Sequence, residues 1–564
     1  MQIKPRASAK IWSWALANGP LMALASILIV LVVLPLFMIF AEASVRNGRF
    51  DLSYAWQAIA DADNIKTIAN TLILGVAVVI ESTIIALPLA FIMARTQIAR
   101  HKWLDIVLMI PFMTPPYIAS MGWILFMQKR GLFQQLFPFT GAWSEKFFAF
   151  HGLVFVMSLH IFPFMLTILK NAIMNIGAGL EESAAIFGGG PVYRLYRVTL
   201  PLLSGNYAIG ALLVFVKTLS EYGTPATLGR RIGFFVFATD IHRYATVSPI
   251  NFGKSASLSC VLIGICLLAW FLQNYTTTKN SYRLVGGKGS RIKTKQLEGP
   301  MRVVAWGIIV FVLLIAVGIP YFSVISTSLI KLRGYGLAFG NFTFQHYVDL
   351  FTQNQKAQSA FTTSLVLAVS TSCIAAVLGT LIASAVHYSK SKARKVVEAT
   401  GLMPEMLPGI VLVIGIMLFW NRIYKLIPLY NTIGIMILAY VTLFLPYTIQ
   451  YVTSSFSQID NNLIQAGRVF GGSAFYTFRR VTFPLLVRGV VAGWMMTFII
   501  SFRELVTASL IAPPNTLVVS TFIMREFEQG SVSIGMAMAL VCTLFTATAL
   551  IFLDRIIDPQ KGRN

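Results

Sequence analysis

Two glutamates hold matching places in this chain of 564 residues, Glu221 in K-T-L-S-E-Y-G-T-P and Glu504 in I-S-F-R-E-L-V-T-A. They lie 283 positions apart, and each is followed three residues later by a threonine, Thr224 or Thr507. Each ends an apolar run. An acid at the outer end of a path-lining helix could meet a cationic solute or form a gate contact. The plainer reading is a helix-end acid paired with a nearby base, Lys217 four residues before Glu221 or Arg503 beside Glu504. Glu81 lies inside an apolar stretch and has Ile374 as its counterpart. Charges at membrane depth are costly and are functional candidates by default. Pro111, Pro115 and Pro116, with Pro404 and Pro408, interrupt two matching apolar stretches. Broken helices are tolerated where they line a cavity, and the alternative is a plain kink. His160, near Pro163, reads as a satisfied helix histidine rather than a metal ligand. Cys260, Cys266, Cys373 and Cys542 all fall in apolar stretches without a C-x-x-C pair, so neither a metal site nor a disulfide is expected. No acid–base or nucleophile constellation stands out, and no catalytic residue, metal or cofactor is assigned. The G-x-x-x-x-G-K-[ST] phosphate loop is missing, so this chain does not bind ATP in that way.

A second signal is a loop that occurs twice. Residues 182–201 read E-S-A-A-I-F-G-G-G-P-V-Y-R-L-Y-R-V-T-L-P, and residues 465–484 read Q-A-G-R-V-F-G-G-S-A-F-Y-T-F-R-R-V-T-F-P. Gly188 and Gly471 are 283 apart, as are Pro201 and Pro484. Glu182 to Phe187 is a short helix candidate, and three glycines from Gly188 break it. Pro191 suits the first position of a following helix. There Val192, Leu195 and Tyr196 fall on one face, and Arg194 and Arg197 on the other. Phe475, Phe478 and Val481, with Arg479 and Arg480, repeat the arrangement. Pro201 is expected to restart the next spanning helix. A short helix with an apolar face below the membrane could seat in a groove of a partner or lie on lipid; duplication with matching spacing favours docking.

The elements that position these residues are membrane helices. The chain is 56% hydrophobic and 12% charged, with a mean hydropathy of +0.73. About twelve apolar stretches are long enough to span: 21–43, 68–94, 104–127, 149–169, 203–220, 255–274, 303–328, 362–387, 403–420, 431–452, 485–502 and 533–553. Backbone groups in lipid are satisfied internally, so these are expected to be helices. The first follows Lys4, Arg6 and Lys10 and reads as a retained helix rather than a cleaved signal. With both termini cytoplasmic, the inside segments hold 27 of the 45 Lys and Arg, the bias expected of that orientation. Together with anionic lipid it accounts for the net charge of +24 without any nucleic acid.

The repeat reaches beyond the loops. Asn70-Thr71-Leu72 matches Thr363-Ser364-Leu365, Pro111 and Pro115 match Pro404 and Pro408, and Pro163 matches Pro446. The offset changes from 293 to 283, which places ten extra residues of the first half between about 127 and 163. Duplication and fusion of two six-helix halves explains this, with a pseudo-symmetry axis along the membrane normal. The expected division is a first half over 1–274, a flexible basic cytoplasmic linker over 275–302 and a second half over 303–564. The first helix of each half has no strong counterpart in the other and is expected to be peripheral.

The duplicated loop resembles the EAA motif of importer permeases of the ABC type, E-A-A-x3-G-x9-I-x-L-P. Glu182, Ala184, Gly188, Val198, Leu200 and Pro201 fit in the first copy, with Ser183 for the first Ala. Ala466, Gly471, Val481 and Pro484 fit in the second, where Gln465 replaces Glu, Gly467 replaces Ala and Phe483 replaces Leu. E-Y-G-T-P and M-I-P-F-M-T-P-P-Y look most like ferric-iron-type permeases. The resemblance implies an all-α polytopic inner-membrane permease of the type I importer kind. It also implies coupling helices docked on two copies of a cytoplasmic ABC ATPase, and an extracytoplasmic solute-binding protein that delivers ferric iron. Glu182 would brace its loop rather than do chemistry. Phosphonate or phosphate ester, thiamine and polyamine are the alternative solutes. A twelve-helix secondary transporter is the rival class, but it has no reason for duplicated loops of this kind.

Overall fold

The computed structural model describes residues 19–46, 49–176, 183–279, 296–389, 391–460, 462–463, 465 and 469–557. Among them ten helices are long and apolar enough to span a membrane, or up to twelve if each of two bent pairs counts as one span. The first half supplies Gly19–Ser44, Ala62–Arg95, the bent pair Trp103–Met113 and Pro116–Leu136, Phe150–Asn175, Val192–Ser220 and Phe252–Gln273. The second supplies Gly299–Leu329, Gln355–Tyr388, the bent pair Ala393–Met406 and Gly409–Arg422, Ile433–Ser457, Phe478–Phe502 and Val532–Ile551. The expected all-α membrane architecture is present. A two-residue ribbon, Val45–Arg46 with Arg49–Phe50, is the sheet among the described residues. Around the join, the sixth helix runs on to Lys279 and the next begins at Gly299; 280–295 lie outside the described residues.

The expected prolines break the third helix of each half, and more sharply than a kink. The two segments meet at 86° in the first half and 112° in the second. Pro115 and Pro408 sit at the same place in each break, with φ and ψ of −55° and 130° and of −58° and 126°. Proline lacks the N–H that would bond four residues back, which frees the carbonyl of Pro111. The ring Nδ1 of His160 donates to that carbonyl at 2.7 Å. His160 is thus the satisfied helix histidine that was expected.

Four other prolines lie within continuous spanning helices. Each follows a five-residue π-turn: Ile29–Val33 before Pro35, Leu195–Thr199 before Pro201, Leu314–Gly318 before Pro320, and Phe478–Thr482 before Pro484. In each case the residue before the proline donates its N–H five residues back, as Leu200 does to Leu195. The widened turn relieves the clash between the proline ring and the preceding carbonyl. Pro201 therefore does not restart a helix; the loop helix runs through it into the span.

The compact units do not follow the chain order. One gathers residues up to Ala55, Tyr244–Ser257 and everything from Tyr347; the other gathers Trp56–Arg243 and Leu258–His346. Each half's first helix thus packs on the core of the other half. Leu34–Ser44 lies along Gly409–Arg422, and Ile319–Leu329 lies along Pro116–Met127. Matching glycines permit the approach. A Cβ on Gly122 would stand 2.7 Å from the Pro320 carbonyl oxygen, and one on Gly415 would stand 2.5 Å from that of Pro35. The Asn-Thr-Leu match has a similar reason. Thr71 Oγ1 accepts the Phe237 N–H at 2.9 Å and Ser364 Oγ accepts the Val519 N–H at 2.8 Å, each at the start of a short helix, Phe237–Thr246 or Val519–Glu528.

Candidate functional site

The first loop is built around a glycine turn. Residues 183–186 are helical. The Gly188 N–H donates to Ala185 O at 3.0 Å and the Gly189 N–H to Ala184 O at 2.8 Å, with Gly188 at φ +82°. That pair of bonds about a left-handed residue is the Schellman ending of a helix. Gly471 has the same φ of +82°. Pro191–Arg194 and Ala474–Thr477 then open the next helix at equivalent positions. Phe187 and Phe470 are both 90% exposed, and Ile186 with Val469 and Tyr193 with Tyr476 are exposed beside them. Val192 and Tyr196 are exposed, while Leu195 and Phe478 are half-buried. Phe478 packs on Ala383, Val452, Phe456 and Leu486, which anchors the loop to its bundle. Pro201, Pro484 and Gln465 are exposed and Ala184 is half-buried. Glu182 lies outside the described residues; for Phe475 the backbone alone is described, within Ala474–Thr477.

The paired acids are held by the helix starts that follow them. Glu221 Oε1 accepts the Thr224 N–H at 2.9 Å. Glu504 Oε1 accepts the Thr507 N–H at 3.0 Å and its hydroxyl at 3.2 Å. Burial raises the Glu221 carboxyl to about 7 and raises that of Glu504, against the lowering by these hydrogen bonds. Lys217 Nζ stands 5.8 Å over the Phe164 ring, and Arg503 favours the charged form of Glu504. In each half the acid corner rests on the helix opened by the proline break. A Cβ on Gly223 would stand 2.9 Å from the Tyr117 nitrogen, and Thr227 Oγ1 donates to Ser120 Oγ at 2.7 Å. In the second half Val506–Ile511 packs on Gly409–Arg422. The structure thus sets the corner after Glu221 on the helix that Pro115 caps, and the helix after Glu504 on the one that Pro408 caps.

The pattern of the binding-protein-dependent transport system inner membrane component matches residues 86–281 and again 375–563, more than half of the chain. The chain belongs to this family. The permease is 23% identical over 557 residues to a ferric transport system permease protein of Actinobacillus pleuropneumoniae, covering 96% of this chain and 78% of that protein. It is 22% identical to an Fe(3+)-transport system permease protein of Haemophilus influenzae, covering 94% of this chain and 97% of the relative. A spermidine/putrescine transport system permease protein of the same species is 25% identical over 43% of this chain and 92% of its own length. The permease is a multi-pass inner-membrane protein of an ABC importer.

Glu81 and Glu405 are further acids within spanning segments of the permease, outside the paired corners. Glu81 lines an open cavity of about 390 Å³ with Phe147, Phe150, His151 and Phe155. Glu405 is an exposed acid at the end of Ala393–Met406, and sequence reasoning missed it. The signal was present: a lone glutamate in M-P-E-M-L-P within an expected span. Its counterpart is Phe112, so a search for paired acids passes over it.

Proposed function

We propose that this permease is the whole translocation path of an ATP-driven importer for ferric iron. An extracytoplasmic solute-binding protein delivers the iron, and two copies of a separate cytoplasmic ABC ATPase dock on loops 182–201 and 465–484. The permease has no ATPase site of its own. The observation that carries the docking is the matched exposure of Phe187 and Phe470 on loops that turn at the same left-handed glycine. Aromatic side chains so exposed are an unusual cost on a surface that no partner covers. Ferric iron comes from the relatives that match over more than nine-tenths of this chain and bear that solute in their names.

In this reading, ATP binding draws the two ATPases together and the docked loops carry that closure upward. No joint interrupts the transmission. The helix that begins at Pro191 passes through its π-turn into the span ending at Ser220, where Glu221 caps the next helix start. The second half repeats this from Ala474 to Phe502 and Glu504. Movement of a loop therefore reaches the acid corner and the helix break beside it, which makes these corners the candidate outer gate. The halves, divided near 275–302 and with both termini cytoplasmic, rock about a central path.

Vesicles carrying the permease with its ATPase and binding protein test the reading. Ferric iron uptake is expected to need ATP and to continue when a protonophore collapses the proton gradient. Uptake that stops with the gradient and ignores ATP would place the chain among secondary transporters instead.

A further inference from the structure

The surface around Glu405 differs between the halves in a directed way. The second half places Glu405, Tyr447, Gln450 and Tyr451 where the first half has Phe112, Phe164, Thr167 and Ile168. In the first half the place is apolar and carries a cation. The Phe112 and Phe164 rings meet edge to face with centroids 4.6 Å apart, and the Lys217 ammonium stands over Phe164. In the second half it is rich in oxygen. Gln450 Nε2 donates to Glu405 Oε2, and the Tyr447 hydroxyl lies within electrostatic reach of Glu405, Tyr451, Arg503 and Glu504. Glu405 and Gln450 are exposed, and Tyr451 is 39% exposed.

Depth makes this exposure informative. Glu405 bonds Gln450, which stands seven residues inside the end of the spanning helix Ile433–Ser457, roughly 10 Å along its axis at 1.5 Å per residue. A carboxylate so far into a spanning segment is tolerated against water or a permeating ion, not against lipid. Its one hydrogen-bond partner among the described residues is neutral, so its charge is not cancelled by a bonded base. The donors gathered here are a carboxylate, an amide and two phenols. Such an oxygen set, without nitrogen or sulfur ligands, suits a hard cation of high charge.

We infer that Glu405, flanked by Tyr447 and Tyr451, is a transfer station for the permeating solute and selects a hard, multiply charged cation. Gln450 is a positioning residue that holds the carboxylate. With the charges of Arg503 and Glu504 offsetting one another, Glu405 is the one uncompensated charge among neutral oxygens, which draws a cation without trapping it, as conduction requires. The identity of the cation rests on the ferric-iron reading; the donor set does not.

Terbium(III) tests the station apart from transport, since it is a hard trivalent ion whose luminescence nearby tyrosines sensitise. The full chain in detergent is expected to give a saturable terbium signal that lanthanum(III) competes away. Glu405→Gln should weaken the affinity at least tenfold. Glu405→Asp should restore most of it, and Tyr447→Phe should lower the intensity. Glu145→Gln, a change at an exposed acid of the short helix Gly141–Phe147, should leave the titration unaltered. Glutamine at 405 can still bond Gln450, so a merely structural tie would give the wild-type titration in Glu405→Gln, and that result overturns the station. Absence of any saturable signal in the wild type overturns it as well. Ferric iron uptake read in parallel separates the two claims. Wild type that binds terbium through Glu405 but imports no ferric iron keeps the station and loses iron as solute. Iron import unchanged in Glu405→Gln keeps the function and removes the station.

Discussion

Valine at both Gly188 and Gly471 will stop ATP-driven uptake while the chain stays in the membrane at its normal level. Both glycines sit at φ +82°, and nothing stands within 4 Å of the place an added Cβ would take. The penalty is therefore conformational rather than steric. A β-branched residue held in the left-handed region costs about 1–3 kcal/mol. The loop escapes that cost by abandoning the turn, which swings the helix beginning at Pro191 or Ala474 away from its seat. Two such changes, at tenfold per roughly 1.4 kcal/mol, reduce the population of docked loops by about 30- to 10⁴-fold. The core is untouched because both glycines are exposed. Gly190→Ala is the control: its Cβ also meets open space, and its backbone is not left-handed. Uptake, membrane abundance and ATPase capture are measured together. Normal uptake in the double valine variant would mean that the turn geometry does not serve coupling.

Aspartate at Phe187 and Phe470 will release the ATPase. An aromatic anchor at the centre of an interface contributes about 2 kcal/mol or more, so each change is expected to weaken binding by roughly thirtyfold. Charge in place of the ring adds a desolvation penalty on docking. Because both rings are 90% exposed in the permease itself, its thermal unfolding should not move. The single variants report whether the two loops bind alike. Titration of the labelled ATPase onto the permease gives the affinities. Wild-type affinity in the double aspartate variant would exclude this patch as the seat.

How much of this was legible in the sequence varied with the physics. Pro115 and Pro408 marked where the third helices are disturbed, because a proline among apolar residues removes a backbone donor, but break and kink stayed open: Pro88, Pro163 and Pro446 remove the same donor inside continuous helices. The duplicated loops were legible from spacing alone. The π-turns were not: a single extra residue in one turn leaves the apolar pattern on either side nearly intact, and Pro201 then reads as a start. Nor was the exchange of first helices. These helices are apolar on every side, so periodicity names no partner, and the one shared feature is the pair Leu34-Pro35 and Ile319-Pro320. The close seats at Gly122 and Gly415 could be read only once the backbones opposite them were placed. Glu405 escaped because duplication was the guide, and its importance lies in where the duplication fails.

On the proposed function, this chain is the complete path of an importer powered from outside itself through two docking loops. The mass of the detergent-solubilised complex, measured intact, tests it most directly. The expected species holds one copy of the 62.3 kDa permease with two copies of one separate ATPase polypeptide. A stable species that hydrolyses ATP without any second polypeptide would contradict it.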